Sequence, residues 1–132
     1  MENNDQEEKF NFYPNGEGAV GRSANAGVAQ LKYLEQAKHI VLSFDEIKEY
    51  AVFVFGSRAD GTAHQRSDID IGILGKQALP AFIKLDIEEQ LEESNIPLRV
   101  DFVDFCKADP AFKKEALKTV IIWNLPKDIT LG

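Results

Sequence analysis

The chain has 132 residues, of which 44% are hydrophobic and 28% are charged, so the sequence predicts one compact domain rather than two. No apolar run approaches the roughly 20 residues that a membrane-spanning helix needs. The net charge of −7 argues against a protein that binds nucleic acid through phosphate neutralisation, because such proteins carry a basic face. An acidic chain can still bind a nucleoside triphosphate when metal ions supply the positive charge.

The cysteine content and the N-terminus indicate the compartment. A single cysteine, Cys106, excludes an internal disulfide and a cysteine-based metal site. The N-terminus is acidic and polar, unlike a secretory signal. These features predict a cytoplasmic protein without a membrane segment.

Residues 1–25 are rich in Asn, Gly and acidic residues and are predicted to form a flexible leader, followed by a single domain over 26–132. The leader contains a match to the GxGxxG pattern over 16–21. A nucleotide-binding role for this match is unsupported, because the pattern requires a preceding strand and Tyr13-Pro14-Asn15 is a turn signal.

After the leader, helices and strands are predicted to alternate. In chain order they are a helix over 27–43, a strand over 50–55, a loop over 56–67, a strand over 68–74, a helix over 80–94, a strand over 99–105 and a helix over 109–118. The apolar run 120–123 is either the end of that helix or a fourth strand. The apolar positions predicted for the helix over 80–94 are Phe82, Leu85, Ile87 and Leu91.

This order predicts an α/β (α+β) fold with a mixed sheet of about four strands and helices packed against it. The first two strands are joined by a short glycine-containing loop and are predicted to pair antiparallel. The helix over 80–94 has the length of a crossover between parallel strands.

The most informative pattern is Gly56-Ser57, then ten residues, then Asp68-Ile69-Asp70 at the start of a strand. Aspartate is depleted in strands, and residues at i and i+2 point to the same face. Two carboxylates side by side repel each other unless a cation lies between them, and a divalent metal held together with phosphates is the natural candidate. Small residues at 56 and 57 allow phosphate oxygens to approach the backbone.

A third carboxylate, Asp101, lies in the middle of the apolar strand over 99–105. If this strand pairs beside the second, Asp101 stands near Asp70. Three carboxylates suffice for two metal ions about 3.5–4 Å apart, which clamp the attacking and leaving oxygens of a displacement at phosphorus. Asp104 is three residues further along the strand, so its side chain points to the opposite face from Asp101, and it is predicted to be a surface or cap residue.

The segment GSRADGTAHQRSDID, with the later PLRVDFVDF, resembles the minimal nucleotidyltransferases of the DNA polymerase beta-like nucleotidyltransferase superfamily. The resemblance covers roughly residues 27–125. It implies that Gly56 and Ser57 bind the triphosphate and that Asp68, Asp70 and Asp101 hold the metals and are catalytic. The chain departs from the family at Asp60, where Arg or Lys is common.

The resemblance also implies cofactors and partners. Two Mg²⁺ ions are expected, with Mn²⁺ as a substitute, and the donor is expected to be ATP, with AMP moved to an acceptor hydroxyl. Such enzymes are often paired with a small helical partner of the HEPN type in a toxin–antitoxin system. A second protein or another copy of the chain is expected to supply the acceptor surface, and no strong nucleic-acid binding is expected.

Several alternatives remain open at this stage. Arg58, Arg66 and Lys76 are candidates for phosphate contacts. Arg58 is equally suited to an ion pair across the loop, and for Arg66 and Lys76 the default interpretation is a solvated loop charge. The alternative function is a catalytically weak binding module that holds a helical partner. The three carboxylates argue for the enzyme, because a pure binding module has no physical reason to keep mutually repelling charges.

Overall fold

The structure is a computed structural model that describes the backbone of residues 21–132 and the side chains of residues 31–132. The chain divides into two units, Met1–Tyr33 and Leu34–Gly132. Helix α1 covers Gly21–Leu42, so it begins by residue 21 rather than at residue 27. The predicted leader lies largely outside the described residues, as does the GxGxxG match apart from Gly21, and the domain boundary stays a prediction.

Four strands form one mixed sheet in the order β3–β2–β1–β4. The strands are β1 (Ala51–Phe55), β2 (Ile69–Leu74), β3 (Val100–Asp104) and β4 (Ile121–Asn124). Strand β1 is antiparallel to β2 and to β4, whereas β2 and β3 are parallel. The predicted α+β fold with a mixed sheet is confirmed, and the helix Ala81–Glu93 (α3) is the crossover between the parallel strands.

Alternation along the strands separates two faces of the sheet. On one face, Ile69, Ile71 and Ile73 of β2 are fully buried. On the other face, Asp70 and Gly72 lie opposite Phe55 and Phe53 of β1. We call this second face the aspartate face; it also carries Asp101 and Val103 of β3, because they pair in register with Asp70 and Gly72.

The aspartate face is packed with aromatic rings. Phe53 and Phe105 are fully buried with ring centroids 5.0 Å apart, and Phe55 lies 5.1 Å from Phe105. A Cβ at Gly72 would lie 2.6 Å from the Phe105 ring, so only glycine leaves room for these rings. These phenylalanines therefore fill the core on this face of the sheet.

Helix α3 buries a single stripe, Ile83, Ile87 and Leu91, at the i, i+4, i+8 spacing of one helical face. The predictions for Ile87 and Leu91 are confirmed. Those for Phe82 and Leu85 are wrong, because these side chains project away from the stripe and are 70% and 56% exposed.

The C-terminal part of the chain resolves the alternative left open at residues 120–123. Helix α4 covers Pro110–Ala116, and the Asp109 carboxylate caps it by accepting hydrogen bonds from the Ala111 and Phe112 N–H groups. The helix ends before the apolar run, which forms the edge strand β4 against β1.

None of the described helices is long and apolar enough to cross a membrane. The cytoplasmic location stays a prediction.

Candidate active site

The site is built where β2 and β3 begin and β1 ends. Asp70 pairs in register with Phe55 of β1 and with Asp101 of β3, so these side chains point to the same face. Asp68 stands two residues before Asp70, just ahead of β2. The predicted position of Asp101 beside Asp70 is therefore confirmed, while the chemical roles of the three carboxylates stay predictions.

Gly56 shapes the turn that follows β1. Its φ of 75° and ψ of −154° lie in a region that is essentially restricted to glycine. A Cβ on residue 56 would lie 2.5 Å from Asp70 Oδ2, so the missing side chain is what lets the Asp70 carboxylate approach this turn. The backbone at Gly56 and the carboxylate of Asp70 therefore border the same space.

The loop predicted over 56–67 contains one helical turn, α2 (Ser57–Asp60). The Gly56 carbonyl accepts hydrogen bonds from the N–H groups of Ala59 and Asp60, at 3.0 and 3.1 Å. Gly61, with φ of 86°, ends the turn in the left-handed region. Two positive-φ glycines thus bracket a helical turn too short for a periodicity signal in the sequence.

Arg58 holds the remainder of this loop. Its Nη2 and Nε donate to the Ser67 carbonyl at 2.6 and 3.2 Å, and Nη2 also lies 3.4 Å from the His64 carbonyl. Burial lowers the pKa of Arg58, while the charges of Asp68 and Asp70 act in the opposite direction. Arg58 therefore has a structural role in the loop, and its contact with a phosphate stays a prediction.

Asp60 and Arg66 lie on the exposed side of the same loop. Asp60 Oδ1 accepts hydrogen bonds from the Thr62 N–H at 3.0 Å and the Thr62 hydroxyl at 2.6 Å, which lower the pKa of Asp60. Arg66 is exposed, and its N–H donates to His64 Nδ1 at 3.2 Å. The acid that departs from the family pattern is thus engaged within its own turn.

Negative charge accumulates at Asp70. Partial burial raises the pKa of this carboxyl most, and the neighbouring Asp101 and Asp68 raise it further, while Arg99 and Arg58 act in the opposite direction. A carboxylate in this setting is stabilised by any cation that can reach it.

Arg99 supplies positive charge next to these carboxylates in the structure. Its Nε donates to Asp101 Oδ1 at 3.0 Å, although the Arg99 side chain is 72% exposed. Exposed ion pairs of this kind contribute only about 0–1 kcal/mol. A stronger ligand of Asp101 can therefore displace Arg99.

The fit of these residues to a metal ion depends on donor type and position. Among residues 31–132, no three or more His, Cys, Asp or Glu side chains stand close enough together to hold a metal ion. The donor type suits a hard divalent cation, because Mg²⁺ binds one or two carboxylates together with phosphate oxygens. Asp70 and Asp101 lie side by side, but the carboxylates do not converge on one point. For a metal to be held by all three carboxylates, Asp101 must rotate away from Arg99.

A cleft of about 520 Å³ opens over the aspartate face. Its sheet side includes Phe55, Gly56, Asp70 and Asp101, and Asp60 borders it. Ser57, Arg58, Arg66 and Asp68 do not line it. The cleft has the size of a small-molecule site.

The opposite wall of the cleft consists of residues that the sequence analysis did not single out. They come from α4 and the segment after it, namely Phe112, Glu115, Ala116, Lys118 and Thr119. Their position depends on tertiary packing: the Phe105 ring packs on the aspartate face, and the Phe112 ring of the helix that follows lies 5.6 Å from it.

Three other residues lie outside the site. Lys76 follows the far end of β2, and its Nζ lies 2.6 Å from Asp128 Oδ2, so its charge is paired outside the site. Cys106 is exposed and its Sγ lies 3.3 Å from the Gly75 carbonyl. Asp104 is a cap residue as predicted, since it accepts from the Cys106 N–H, but the surface alternative is wrong because Asp104 is only 4% exposed.

Comparison with known proteins decides the family. The profile of the family described as polymerase beta, nucleotidyltransferase matches residues 35–126. The chain belongs to this family. It is thus a nucleotidyltransferase, and the resemblance carried by Gly56, Ser57, Asp68, Asp70 and Asp101 is confirmed at the level of the family.

Two curated relatives of this nucleotidyltransferase are adenylyltransferases. The protein adenylyltransferase MntA of Shewanella oneidensis is 34% identical over 100 residues, covering 74% of this chain and 71% of that protein. The probable protein adenylyltransferase MntA of Haemophilus influenzae is 30% identical over 76 residues, covering 58% of this chain and 67% of that protein.

Solved structures share the fold of this nucleotidyltransferase. A mutant of the MntA–HpeT toxin–antitoxin pair matches with a TM-score of 0.54 at 28% identity, over 70% of this chain and 75% of that chain. A toxin–antitoxin structure with AMP-PNP matches with a TM-score of 0.55 at 24% identity, over 68% of this chain and 74% of that chain.

Proposed function

We propose that this nucleotidyltransferase moves AMP from ATP to a hydroxyl of a protein, in a reaction that depends on a divalent metal. The observation that carries the proposal is the pairing of Asp70 with Asp101 beside Gly56. The curated relatives named as protein adenylyltransferases support AMP as the transferred group and a protein as the acceptor.

Each residue has a distinct proposed role. The backbone at Gly56 and Ser57 binds the triphosphate, beside the Asp70 carboxylate that the absence of a side chain at 56 admits. Asp68, Asp70 and Asp101 hold the metal. Arg58 and Arg66 are proposed to approach the outer phosphates from the loop, and Arg58 also keeps that loop folded through Ser67.

When bound, two Mg²⁺ ions, or Mn²⁺ in their place, would supply the positive charge that neutralises the carboxylates and the phosphates. The acceptor oxygen forms a bond to the α-phosphorus, and the bond from that phosphorus to the oxygen bridging to the β-phosphate breaks. Pyrophosphate leaves with that bonding pair. Asp101 receives the proton of the acceptor hydroxyl, which is the role that its position at the cleft supports.

The partner is proposed to be a small helical protein of the HEPN type, with this chain as the enzyme and antitoxin of the pair. The structure with 28% identity is one half of a toxin–antitoxin pair, which supports this assignment. The partner would supply the acceptor hydroxyl above the cleft. A second copy of the chain is the alternative source of that surface.

A transfer assay tests the proposal. The protein is incubated with Mg²⁺ and ATP labelled at the α-phosphate, with and without the protein encoded beside it. Label is expected to reach protein in the wild type and to be lost in Asp68→Asn, Asp70→Asn, Asp101→Asn and in EDTA. Asp86→Asn, an exposed aspartate on α3, is the matched control and is expected to keep labelling.

Equal labelling in all variants would contradict the assigned site. Absence of labelling in the wild type with its partner present, together with retained partner binding, would favour the catalytically weak binding module instead.

A further inference from the structure

Phe112 presents an aromatic ring to the cleft from the wall opposite the carboxylates. It lies in the first turn of α4, lines the cleft and is 44% exposed. Covering an exposed apolar ring with another apolar group is favourable in water. A ligand in the cleft that brings an apolar or aromatic group against Phe112 would therefore gain free energy from the contact.

Two buried rings fix the orientation of Phe112. Its ring centroid lies 5.9 Å from Phe55 at an interplanar angle of 86°, and 5.6 Å from Phe105 at 44°. The contact with Phe55 is edge-on and the contact with Phe105 is tilted, and aromatic pairs at these separations stabilise each other. Because Phe112 is held in place before anything binds, an occupant gains the contact without the entropy cost of ordering the ring.

The cleft offers both acidic and apolar contacts. Asp70 and Asp101 line it beside Gly56, which suits a phosphate chain and its cations. Val103, Phe112 and Ala116 add apolar lining, and the wall that carries Phe112 also carries charged side chains, Glu115 and Lys118. A nucleoside triphosphate has both chemistries, a charged chain and a flat aromatic base.

We propose that Phe112 forms a wall of the nucleobase subsite and determines affinity for the nucleoside part of the donor. This inference rests on the proposed function, because it takes the triphosphate to lie toward Gly56 and Asp70. Every base has an aromatic face, so a phenylalanine wall gives affinity without selecting one base. The ring contacts the donor away from the bond that breaks.

The test compares two ligands that differ by the nucleoside. Binding of ATP and of inorganic tripolyphosphate is measured by calorimetry in Mg²⁺, without acceptor. Phe112→Ala is expected to weaken ATP binding about tenfold or more, as removal of a base-stacking ring does. Tripolyphosphate affinity is expected to change less than twofold, because that ligand has nothing to stack.

Matched variants separate the ring from the fold. Phe82→Ala removes a more exposed phenylalanine that does not line the cleft, and is expected to leave both affinities unchanged. Phe112→Tyr keeps the flat ring and is expected to bind ATP nearly as well as the wild type. Phe112→Leu keeps apolar bulk without the aromatic face and is expected to be intermediate, which provides a folded variant if alanine disturbs the Phe55–Phe105 cluster.

Three outcomes would overturn the inference. ATP affinity unchanged in Phe112→Ala, with Asp70→Asn still losing it, would leave the proposed function intact and exclude the ring. Equal weakening of both ligands would assign Phe112 a purely structural role. Wild-type protein that binds neither ligand would overturn the proposed function, and this inference with it.

Discussion

The Asp70 carboxylate occupies the space that a side chain at Gly56 would need, because a Cβ on residue 56 would lie 2.5 Å from Asp70 Oδ2. The two residues belong to different elements, the turn after β1 and the second residue of β2, and the antiparallel pairing of these strands brings them together. Two features therefore require glycine at position 56: the positive φ of the backbone, and the Asp70 carboxylate where a Cβ would stand. This relationship places the proposed triphosphate turn against the proposed metal ligands.

Gly56→Ala is expected to destabilise the fold more than Gly61→Ala does. Both glycines have positive φ, but a Cβ at Gly61 meets nothing within 4 Å, so only the backbone cost applies there. That cost is about 1–2 kcal/mol for a left-handed residue. Gly56→Ala adds the clash with Asp70, and urea unfolding is expected to show a larger loss together with loss of nucleotide binding. A smaller loss for Gly56→Ala would show that the Asp70 carboxylate moves away freely.

Asp70→Asn is expected to raise the thermal unfolding midpoint at pH 7 in EDTA. Burial and two neighbouring carboxylates raise the pKa of Asp70, so the folded protein holds this proton more tightly than the unfolded chain. The stability that this group contributes is full below the ordinary aspartate pKa and is lost as the pH rises through the raised value. The gain from Asp70→Asn is therefore expected to shrink as the pH falls toward 4.

Asp60→Asn serves as the control, because the pKa of Asp60 is shifted in the opposite direction from that of Asp70. Hydrogen bonds from Thr62 lower the pKa of Asp60, so its charge contributes stability that is present at pH 7 and lost as the pH falls through the lowered value. A gain in midpoint from Asp60→Asn comparable to that from Asp70→Asn would indicate general charge repulsion rather than a local effect at Asp70.

Arg58→Ala is expected to loosen the loop between Gly61 and Asp68. The guanidinium makes two hydrogen bonds to the Ser67 carbonyl, and a charged hydrogen bond contributes about 1.5–3 kcal/mol. Amide hydrogen exchange is expected to accelerate in this loop while the strands keep their protection. Lys76→Ala is the control, because Lys76 pairs with Asp128 beyond the far end of β2. Unchanged exchange in Arg58→Ala would show that the loop holds its shape without the arginine.

Asp104→Ala is expected to cost about 1–3 kcal/mol of unfolding free energy. The buried Asp104 carboxylate accepts from the Leu79 N–H at 2.8 Å and the Cys106 N–H at 3.0 Å, and its loss leaves the Leu79 N–H without this acceptor inside the fold. Asp86→Ala, at an exposed position on α3, is expected to change stability by less than about 0.5 kcal/mol. Equal costs for the two variants would mean that water replaces the Asp104 carboxylate.

The sequence predicted the sheet side of the site well, because the signal there is local. Alternation along β2 and β3 placed Asp70 and Asp101 on defined faces, and the length of the connection through α3 indicated a parallel pair, so their juxtaposition followed. The start of α4 is also a local signal, because Asp109 followed by Pro110 is a typical helix start and the Asp109 carboxylate caps the helix.

The sequence could not predict the opposite wall, because that wall depends on tertiary packing. Nothing near Phe112 indicates that its ring reaches Phe55, more than fifty residues earlier. The outward orientation of Phe82 and Leu85 was missed for the same reason: a helix with apolar residues at 82, 83, 85, 87 and 91 does not reveal which stripe the sheet covers. Similarly, the pairing of Arg99 with Asp101 depends on side-chain rotamers that no spacing rule encodes.

The most direct test of the metal assignment is the anomalous diffraction of a crystal grown with Mn²⁺ and a non-hydrolysable ATP analogue. We predict a manganese peak within about 2.5 Å of carboxylate oxygens of both Asp70 and Asp101, with Asp101 turned from Arg99 and the triphosphate against Gly56. A bound nucleotide with no manganese near either carboxylate, and with Asp101 still paired to Arg99, would contradict the account.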